Sequence, residues 1–509
     1  MVVPGDRKVG VAILVVAVAA GSFLTRCGGP RSDGQGERPP SVAYSPAPPA
    51  TGDRGGVRAT GATDCERWVS PAGDDGAAGS MHDPWASLEH AVEAVPGVGC
   101  TVWFEDGIYR GSNEVERRFR ERTVFRAVND YQAILQSSKI VLDIGRAASL
   151  MTFRGFQIRQ PVGGADVAIY VSGSDGGKPA PSRITFMDNI IHDSYDEDLM
   201  KIRSRASAIT VQGNVFYNQG SNEQHIDVNS VTNVVIQGNV FFNAFGASER
   251  PFDGTTKHYI VVKDSNQGTD GLRGSARIAI RSNVFLNWQG DVASFIGIGN
   301  DGEAYHEAKH VQIVNNLLVG NSPLRVNAAL TVYGARYVAF TNNTVVGTLP
   351  SEAYAFDVDR KGRNPRNLWI LFRNNIWSDP SGTMNRFSDG RRINTIELVL
   401  RRNLYWNGGR PIPRGDLLSP STHDPGRVVR NPLFPDPGAI VLPVWEGSAF
   451  RSGLHTIRDE FLRLVAAFGE ITPESPAVGR ALTAVAPPTD ILGRPRDEAP
   501  DLGAFEASP

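Results

Sequence analysis

Residues 184–191 read Ile-Thr-Phe-Met-Asp-Asn-Ile-Ile, and residues 209–216 read Ile-Thr-Val-Gln-Gly-Asn-Val-Phe. In both stretches apolar residues alternate with other residues, and then a small or polar residue, an asparagine and two apolar residues follow. Alternation with a period of two that ends in turn residues predicts a β-strand followed by a turn. A weaker copy precedes them at residues 151–158. The motif is therefore a repeated strand.

The asparagine of this motif recurs along most of the chain. It stands at eight positions, 25 to 44 residues apart: Asn189, Asn214, Asn239, Asn283, Asn316, Asn343, Asn375 and Asn403. One such strand cannot bury its apolar face alone, but strands stacked about 4.8 Å apart form a parallel sheet over an apolar interior. Asparagine is a common turn residue, yet that preference does not explain its place in eight successive motifs. The repeat predicts an all-β solenoid of parallel strands, with the asparagines in a ladder at one corner.

Three further segments indicate the kind of solenoid. Residues 69–76 read Val-Ser-Pro-Ala-Gly-Asp-Asp-Gly, and residues 104–109 read Phe-Glu-Asp-Gly-Ile-Tyr. Near the end, residues 490–496 read Asp-Ile-Leu-Gly-Arg-Pro-Arg, and residues 502–506 read Leu-Gly-Ala-Phe-Glu. With the repeat, these segments resemble the right-handed parallel β-helix proteins of the pectate-lyase-like superfamily over most of residues 65–506. The resemblance implies a single-stranded right-handed parallel β-helix.

We assign residues 63–509 to one β-helix domain, with core coils at about 101–410 and irregular C-terminal coils and a closing segment at 411–509. The first rung of a solenoid would expose its apolar interior, so something must cover it. Apolar residues follow Pro84 at helical spacing: Trp85, Leu88, Ala91, Val92 and Val95. This pattern predicts an N-terminal cap helix at about 84–95. A second helical pattern at residues 457–468 is expected to pack on the outside.

The N-terminal residues 1–27 predict a signal peptide or a membrane anchor. Arg7 and Lys8 precede an apolar run at residues 9–20, as in an export signal. An uncleaved anchor is the alternative, although the run is short for a full span. Leu24-Thr25-Arg26-Cys27 resembles a bacterial lipobox except at Arg26, where that motif has a small residue, and the resemblance implies lipidation of Cys27. Residues 28–62, rich in Gly, Pro, Ser and Arg, predict a disordered linker that tethers the domain.

The composition of the chain limits the kinds of partner that the protein is expected to bind. The 52 Lys and Arg residues nearly balance the 54 Asp and Glu residues, so no basic face for nucleic acid is indicated. We expect a secreted, periplasmic or cell-surface monomer that contacts a membrane only through its N-terminal segment. An oxidising compartment favours a disulfide between Cys65 and Cys100, the two cysteines of the folded part. Two buried free thiols are the alternative.

The outer face of one sheet carries the candidate site. Alignment of residues 196–204 with residues 223–230 turns the apolar residues of both strands inward. Alternation then places these candidates outward on neighbouring rungs: Lys201, Arg203, His225, Asp227 and Lys263. Two loops with Gly and Asp residues, at 246–257 and 264–276, lengthen the next coil, and long loops beside a polar face commonly carry binding function. The alternative is an exposed Lys201–Asp227 ion pair worth less than about 1 kcal/mol.

An acidic cluster precedes Lys201. Its members are Asp193, Asp196 and Asp198, with Glu197 between the last two. Such a cluster could hold calcium, a hard cation that takes oxygen ligands. A solvated acidic turn is the alternative, since the spacing matches no standard calcium loop.

The resemblance also implies a reaction. Lyases of the superfamily cleave acidic, uronate-containing polysaccharide by β-elimination, commonly with calcium on the carboxylate and a Lys or Arg as the base. In this chain the acidic cluster would hold calcium, Lys201 would be the base, and Arg203 or Lys263 would assist. Asp227 opposes that role, because a lysine base needs a lowered pKa. Two alternatives remain open: a non-catalytic carbohydrate-binding or cell-envelope structural protein, and a glycoside hydrolase or epimerase of the same fold.

Overall fold

The computed structural model describes residues 65–173, 179–250, 254–322, 324–417, 420–436 and 439–507. Within these ranges no helix is both long and apolar enough to span a membrane. The predicted signal or anchor at residues 1–27, the linker at 28–62 and the lipidation of Cys27 lie outside the described residues and stay predictions.

Almost all strands belong to three parallel sheets, here called sheets 1, 2 and 3. In the described chain, sheet 1 has twelve strands: Glu66–Val69, Thr101–Phe104, Arg118–Ala127, Ser149–Arg154, Ser182–Met187, Ser207–Gln212, Thr232–Gln237, Ser275–Arg281, Ala308–Val314, Ala335–Thr341, Asn367–Arg373 and Thr395–Arg401. Of the residues described, sheet 2 takes ten strands: Asn113–Val115, Leu142–Ile144, Ile169–Ser172, Met200–Arg203, Ile226–Asn229, Ile260–Lys263, Ser294–Gly299, Ala328–Tyr333, Phe356–Asp359 and Ser388–Asp389. Sheet 3 takes twelve in the same ranges: Gly107–Arg110, Ala133–Gln136, Gln157–Arg159, Ile190–His192, Val215–Tyr217, Val240–Phe242, Val284–Phe285, Leu317–Gly320, Thr344–Gly347, Ile376–Asp379, Leu404–Asn407 and Val428–Val429.

The chain visits the sheets in a fixed order, which makes it a helix of strands. From Ser182–Met187 in sheet 1 it passes to Ile190–His192 in sheet 3 and Met200–Arg203 in sheet 2, and it then re-enters sheet 1 at Ser207–Gln212. Each strand pairs in parallel with its counterparts in the coils before and after it. The predicted parallel β-helix is confirmed.

The asparagine ladder is also present, at the corner between sheets 1 and 3. The backbone N–H and the side-chain amide of each of the first seven asparagines both donate to Oδ1 of the next, as Asn214 does to Asn239 at 2.8 and 3.0 Å, and Asn403 donates to Asp424 Oδ2 instead. The same side-chain amide donates to a carbonyl oxygen of the preceding coil, such as that of Phe186. All eight side chains are fully buried. Buried polar groups must be hydrogen-bonded, and in the ladder each asparagine is. This requirement explains why asparagine recurs at this corner.

In the part of the chain that the structure describes, three helices interrupt the coils: α1 at Leu88–Ala94, α2 at Pro420–His423 and α3 at Ile457–Phe468. Short 3-10 turns lie at Phe245–Ser248, Arg392–Asn394 and Thr483–Val485. Helix α1 is shorter than the predicted 84–95, because Trp85 forms a β-bridge with Val69 and Ser87 caps the helix by accepting a hydrogen bond from the His90 N–H. Its role as a cap of the solenoid stays a prediction. The predicted Cys65–Cys100 disulfide is confirmed.

The C-terminal segment covers the outer face of sheet 3. Helix α3 packs on the outward side chains of that sheet, among them Val284 and Leu317, as its sequence pattern predicted. The chain also reaches back to early coils, since the amide of Gln132 donates to the carbonyl oxygen of Gly447. The C-terminal segment therefore joins parts of the chain that are far apart in the sequence.

Candidate functional site

The predicted column on sheet 2 exists with the predicted register. Lys201 pairs with Asp227, and Arg203 pairs with Asn229. Lys201 Nζ lies 4.0 Å from Asp227 Oδ2, and Lys263 Nζ lies 3.7 Å from the same oxygen. Asp227 is only 1% exposed, so it is a buried carboxylate between two ammonium groups and not half of an exposed ion pair. The side chains of Lys201 and Lys263 on the two flanking rungs lie against it, which alternation alone does not reveal.

Lys201 is surrounded by carboxylates. Its Nζ lies 3.1 Å from Asp198 Oδ2 and 3.2 Å from Glu197 Oε2. Burial acts to lower the pKa of Lys201, but the charges of Asp198, Asp227 and Glu197 outweigh it and raise that pKa above its usual value. A lysine held in this way stays protonated near neutral pH. These contacts favour a charge-balancing role for Lys201 over the predicted role as base.

The structure does not bring the predicted metal ligands together. Asp193 accepts hydrogen bonds from Asn218 and Ser248 and contacts the ring of His192, while Asp196 is exposed. The carboxylates that do meet are those of Glu197, Asp198 and Glu223, within 4.8 Å of one another.

The cluster of Glu197, Asp198 and Glu223 is a poor fit to calcium. The ammonium of Lys201 already lies against two of its three carboxylates. An ammonium group in contact with these carboxylates occupies the place that a cation would take and repels a second positive charge. Calcium binding stays a prediction, and no step below uses it.

The placement of His225 on the outer face is wrong. Its side chain is fully buried in the solenoid, with its ring stacked 4.4 Å from that of Tyr259 and its Nε2 3.0 Å from Oδ1 of Asn243. Burial lowers the pKa of His225 to about 3. The strand begins at Ile226, so the alternation does not extend back to His225 in the corner. Arg203 faces outward as predicted, but its Nε donates to Ser204 and it does not line the cleft described next.

A cleft of about 630 Å³ opens beside Lys263, toward the C-terminal coils. The residues used below all line it: Lys257, His258, Lys263, Asn327, Tyr333, Asp357 and Lys361. Sequence reasoning reached Lys263 and the loop that ends at Lys257, but it did not assign a role to His258 or to the rest. A signal was present, because residues 356–359, Phe-Asp-Val-Asp, repeat the pattern of residues 226–229, Ile-Asp-Val-Asn. In the structure Thr331 pairs with Asp357 and Tyr333 with Asp359 on the same sheet.

His258 is a buried imidazole with a fixed ring. Its Nδ1–H donates to the carbonyl oxygen of Ser294 at 3.1 Å and lies 2.9 Å from the Ser294 hydroxyl oxygen, which leaves Nε2 of the neutral ring unprotonated. The ring fits because Gly297 has no side chain, since a Cβ there would lie 2.8 Å from the His258 ring. Burial and, after it, the charges of Lys263, Lys361 and Lys257 lower the pKa of His258 to about 4, against the hydrogen bond to Ser294. The imidazole is therefore neutral at neutral pH.

A hydrogen-bonded trio forms the opposite part of the lining. The hydroxyl of Tyr333 donates to Asp357, and the amide of Asn327 donates to Asp357 Oδ2 at 2.9 Å and to the Tyr333 oxygen at 3.0 Å. Burial raises the pKa of Asp357. Burial and the neighbouring charge of Asp357 raise the pKa of Tyr333. The trio is rigid and polar, and it suits recognition of hydroxyl groups.

Lysines supply the positive charge of the cleft. Lys361 Nζ donates to Oδ1 of Asn300 at 2.9 Å, a neutral partner, and it forms no ion pair with any described residue. Lys263 lies between Asp227 and Asp301, 3.7 Å from an oxygen of each. The cleft thus combines lysine ammonium groups with a neutral imidazole, which suits an anionic ligand.

Comparison with known proteins identifies the fold. The crystal structure of pectate lyase Pel9A is 15% identical to this chain and superposes with a TM-score of 0.51, over 88% of this chain and 98% of that one. The A-module of Azotobacter vinelandii mannuronan C-5 epimerase AlgE6 is 14% identical, with a TM-score of 0.46, over 68% of this chain and 93% of that one. No protein-family model matches the sequence, and neither does any curated protein.

The class of protein that follows is a right-handed parallel β-helix protein. Its fold is that of pectate lyase Pel9A.

Proposed function

We propose that this protein binds acidic, uronate-containing polysaccharide in the sheet 2 cleft and cleaves it by β-elimination. The observation that carries the proposal is the neutral imidazole of His258 in a cleft whose other charges include Lys263 and Lys361. A fold shared with a protein named a pectate lyase supports the substrate class.

Elimination requires removal of the proton next to the uronate carboxylate. That proton becomes acidic only when the carboxylate charge is neutralised, and the ammonium groups of Lys263 and Lys361 would supply this. Nε2 of His258 takes the proton, the C–H electron pair forms a carbon–carbon double bond, and the bond to the glycosidic oxygen breaks. The imidazolium then returns the proton to that oxygen. One residue thus serves as base and as acid, and no outside reactant is consumed.

Binding of the substrate improves the base. In the free protein the lysine charges lower the pKa of His258, together with burial. A bound carboxylate offsets those charges, so the imidazole becomes a stronger base only when substrate is present. Tyr333, Asp357 and Asn327 would hold sugar hydroxyls and fix the ring against His258.

The test is turnover of polygalacturonate and alginate, followed by the ultraviolet absorbance of unsaturated sugar ends. We expect the wild type to act on at least one polymer. His258→Ala should lower kcat/KM at least 100-fold, because a general base contributes about 10² to 10⁴ in rate. Lys263→Ala should lower it similarly, while Lys139→Ala, an exposed lysine outside the cleft, should not.

Lys201→Ala separates this assignment from the alternative base. If Lys201 is the base, its variant is inactive and His258→Ala keeps activity, and the proposal is wrong. Binding of the polymers by the wild type without any unsaturated product would instead support a non-catalytic carbohydrate-binding protein.

A further inference from the structure

A second cleft continues the first one along sheet 2, toward the C-terminal coils. Its volume is about 450 Å³, and Asp357 and Asp359 line both clefts. Asp389, which pairs in register with Asp357, lines the second cleft only. A polymer chain that leaves the first cleft at Asp357 can therefore continue into the second.

The two clefts differ in charge. Besides the two shared carboxylates, the first is lined by four cations and one carboxylate, those of Lys257, Lys263, Arg360, Lys361 and Glu223. Among the described residues no lysine lines the second cleft. Its charged groups are four carboxylates and two guanidinium groups, those of Asp357, Asp359, Asp389, Asp416, Arg391 and Arg392. The first cleft therefore attracts a ligand carboxylate, and the second repels one.

Arginine side chains hold the carboxylates of the second cleft in place. The Nε of Arg391 donates to Asp359 Oδ2 at 3.2 Å. Nη1 of Arg386 lies 2.8 Å from Asp389 Oδ2 and 3.6 Å from Asp416 Oδ2. An ionised carboxylate only accepts hydrogen bonds and has about four sites for them, so these groups can still accept from a ligand. Sugar hydroxyl groups donate such bonds, whereas the ionised carboxylate of a uronate cannot.

Asp357 offers an acceptor oxygen where the two clefts meet. The residue is 9% exposed, and Tyr333 and Asn327 both donate to its Oδ2. No residue in the described ranges donates to its Oδ1. The side chain of Ile393, which is exposed, adds apolar surface to the second cleft. A neutral sugar matches this combination, because it has hydroxyl donors and C–H faces but no charge.

We infer that the second cleft binds an uncharged sugar unit, so that the polymer recognised by this protein carries an uncharged unit on one side of the uronate held in the first cleft. Such a unit is a neutral sugar or a uronate whose carboxylate is esterified, because both lack the charge that the second cleft repels. A polymer of ionised uronates alone would place carboxylates against Asp389 and Asp416. The inference rests on the proposed function for the ligand of the first cleft and defines the substrate class more closely.

The test compares oligomers of equal length as ligands of the His258→Ala variant, which should bind them without cleaving them. Two are fully ionised, galacturonate and alginate oligomers. Two contain uncharged units, one with rhamnose alternating with galacturonate and one with alternate galacturonates methyl-esterified. Titration calorimetry measures each Kd. We expect at least one oligomer with uncharged units to bind about tenfold more tightly than either ionised one, and the tighter of the two identifies the uncharged unit.

A double variant tests the residues of the second cleft. Asp389→Asn with Asp416→Asn removes two negative charges and keeps side chains that accept hydrogen bonds. We expect it to lower the preference for uncharged units by about threefold or more, because a uronate carboxylate is then repelled less. Glu498→Gln, at an exposed carboxylate that lines neither cleft, should leave the preference unchanged.

Equal or tighter binding of the fully ionised oligomers would overturn the inference, and so would a preference that the double variant retains in full. Binding of none of the oligomers would overturn it together with the proposed ligand class. If an oligomer with uncharged units binds more tightly but the wild type cleaves none of the four, the proposed elimination fails and the inference stands. If the wild type cleaves ionised oligomers as fast as the others, the elimination stands and the inference fails.

Discussion

At the scale of single residues, charge balance explains the sheet 2 face. Asp227 is buried between Lys201 and Lys263, and both lysines also contact other carboxylates. The register of Lys201 over Asp227 was predictable, because period-2 alternation and the alignment of Ser204 with Ser230 fix it. The burial of Asp227 was not, because it depends on how the side chains of the flanking rungs pack against it. The side-chain direction of His225 was also not predictable, because the alternation of inward and outward side chains holds only within the strand, which begins at Ile226.

Asp227→Asn tests this charge balance. We expect it to lower the free energy of unfolding by about 2 kcal/mol, less than for a fully buried pair because the lysines keep other partners. Chemical denaturation measures the change. Asp301→Asn removes the more exposed partner of Lys263 and should cost less than about 1 kcal/mol. Equal costs for the two variants would show that burial of Asp227 has no special role.

His258 predicts the acid limb of the pH–rate profile. The base must be neutral, and its pKa in the free protein is about 4. The value of kcat/KM should therefore be constant between about pH 5 and about pH 6. Below about pH 4 it should fall tenfold for each pH unit. A limb near the ordinary histidine value of about 6.5 would contradict the lowered pKa.

At the scale of elements, the asparagine ladder decides the architecture and was readable from sequence. The repeat predicted the sheet 1 strand before each asparagine but not the short sheet 3 strand after it, and the Ile457–Phe468 pattern predicted α3 with the observed bounds. Helix α1 is shorter than predicted because residues 84–87 pair and cap instead of coiling. The cleft was only partly predicted, since Tyr333, Asp357 and Lys361 come from coils more than 60 residues beyond Lys263.

Asn283→Ala tests the ladder. Oδ1 of Asn283 accepts from the backbone and side-chain N–H groups of Asn239, so the change leaves two buried donors unpaired. We expect a loss of about 3 kcal/mol in the free energy of unfolding. Asn129→Ala, at an exposed asparagine, should stay within about 0.5 kcal/mol. Matching small effects at both sites would refute a structural role for the ladder.

At the scale of the whole molecule, the C-terminal segment covers part of one face of the solenoid. It packs on sheet 3 through α3. Phe461 is buried in that contact, and its neighbour Leu462 is 37% exposed. Phe461→Ala should destabilise the protein by about 3 kcal/mol in thermal or chemical unfolding, and Leu462→Ala by under 1 kcal/mol. Comparable losses would mean that α3 does not pack as described.

The mass of the products formed from a uronate polymer tests the central claim most directly. Elimination gives fragments whose new non-reducing ends are lighter by one water than those from hydrolysis, and we expect these from the wild type and not from His258→Ala. Fragments of full hydrolytic mass, or the same unsaturated fragments from His258→Ala at the wild-type rate, would contradict elimination by His258 in the sheet 2 cleft.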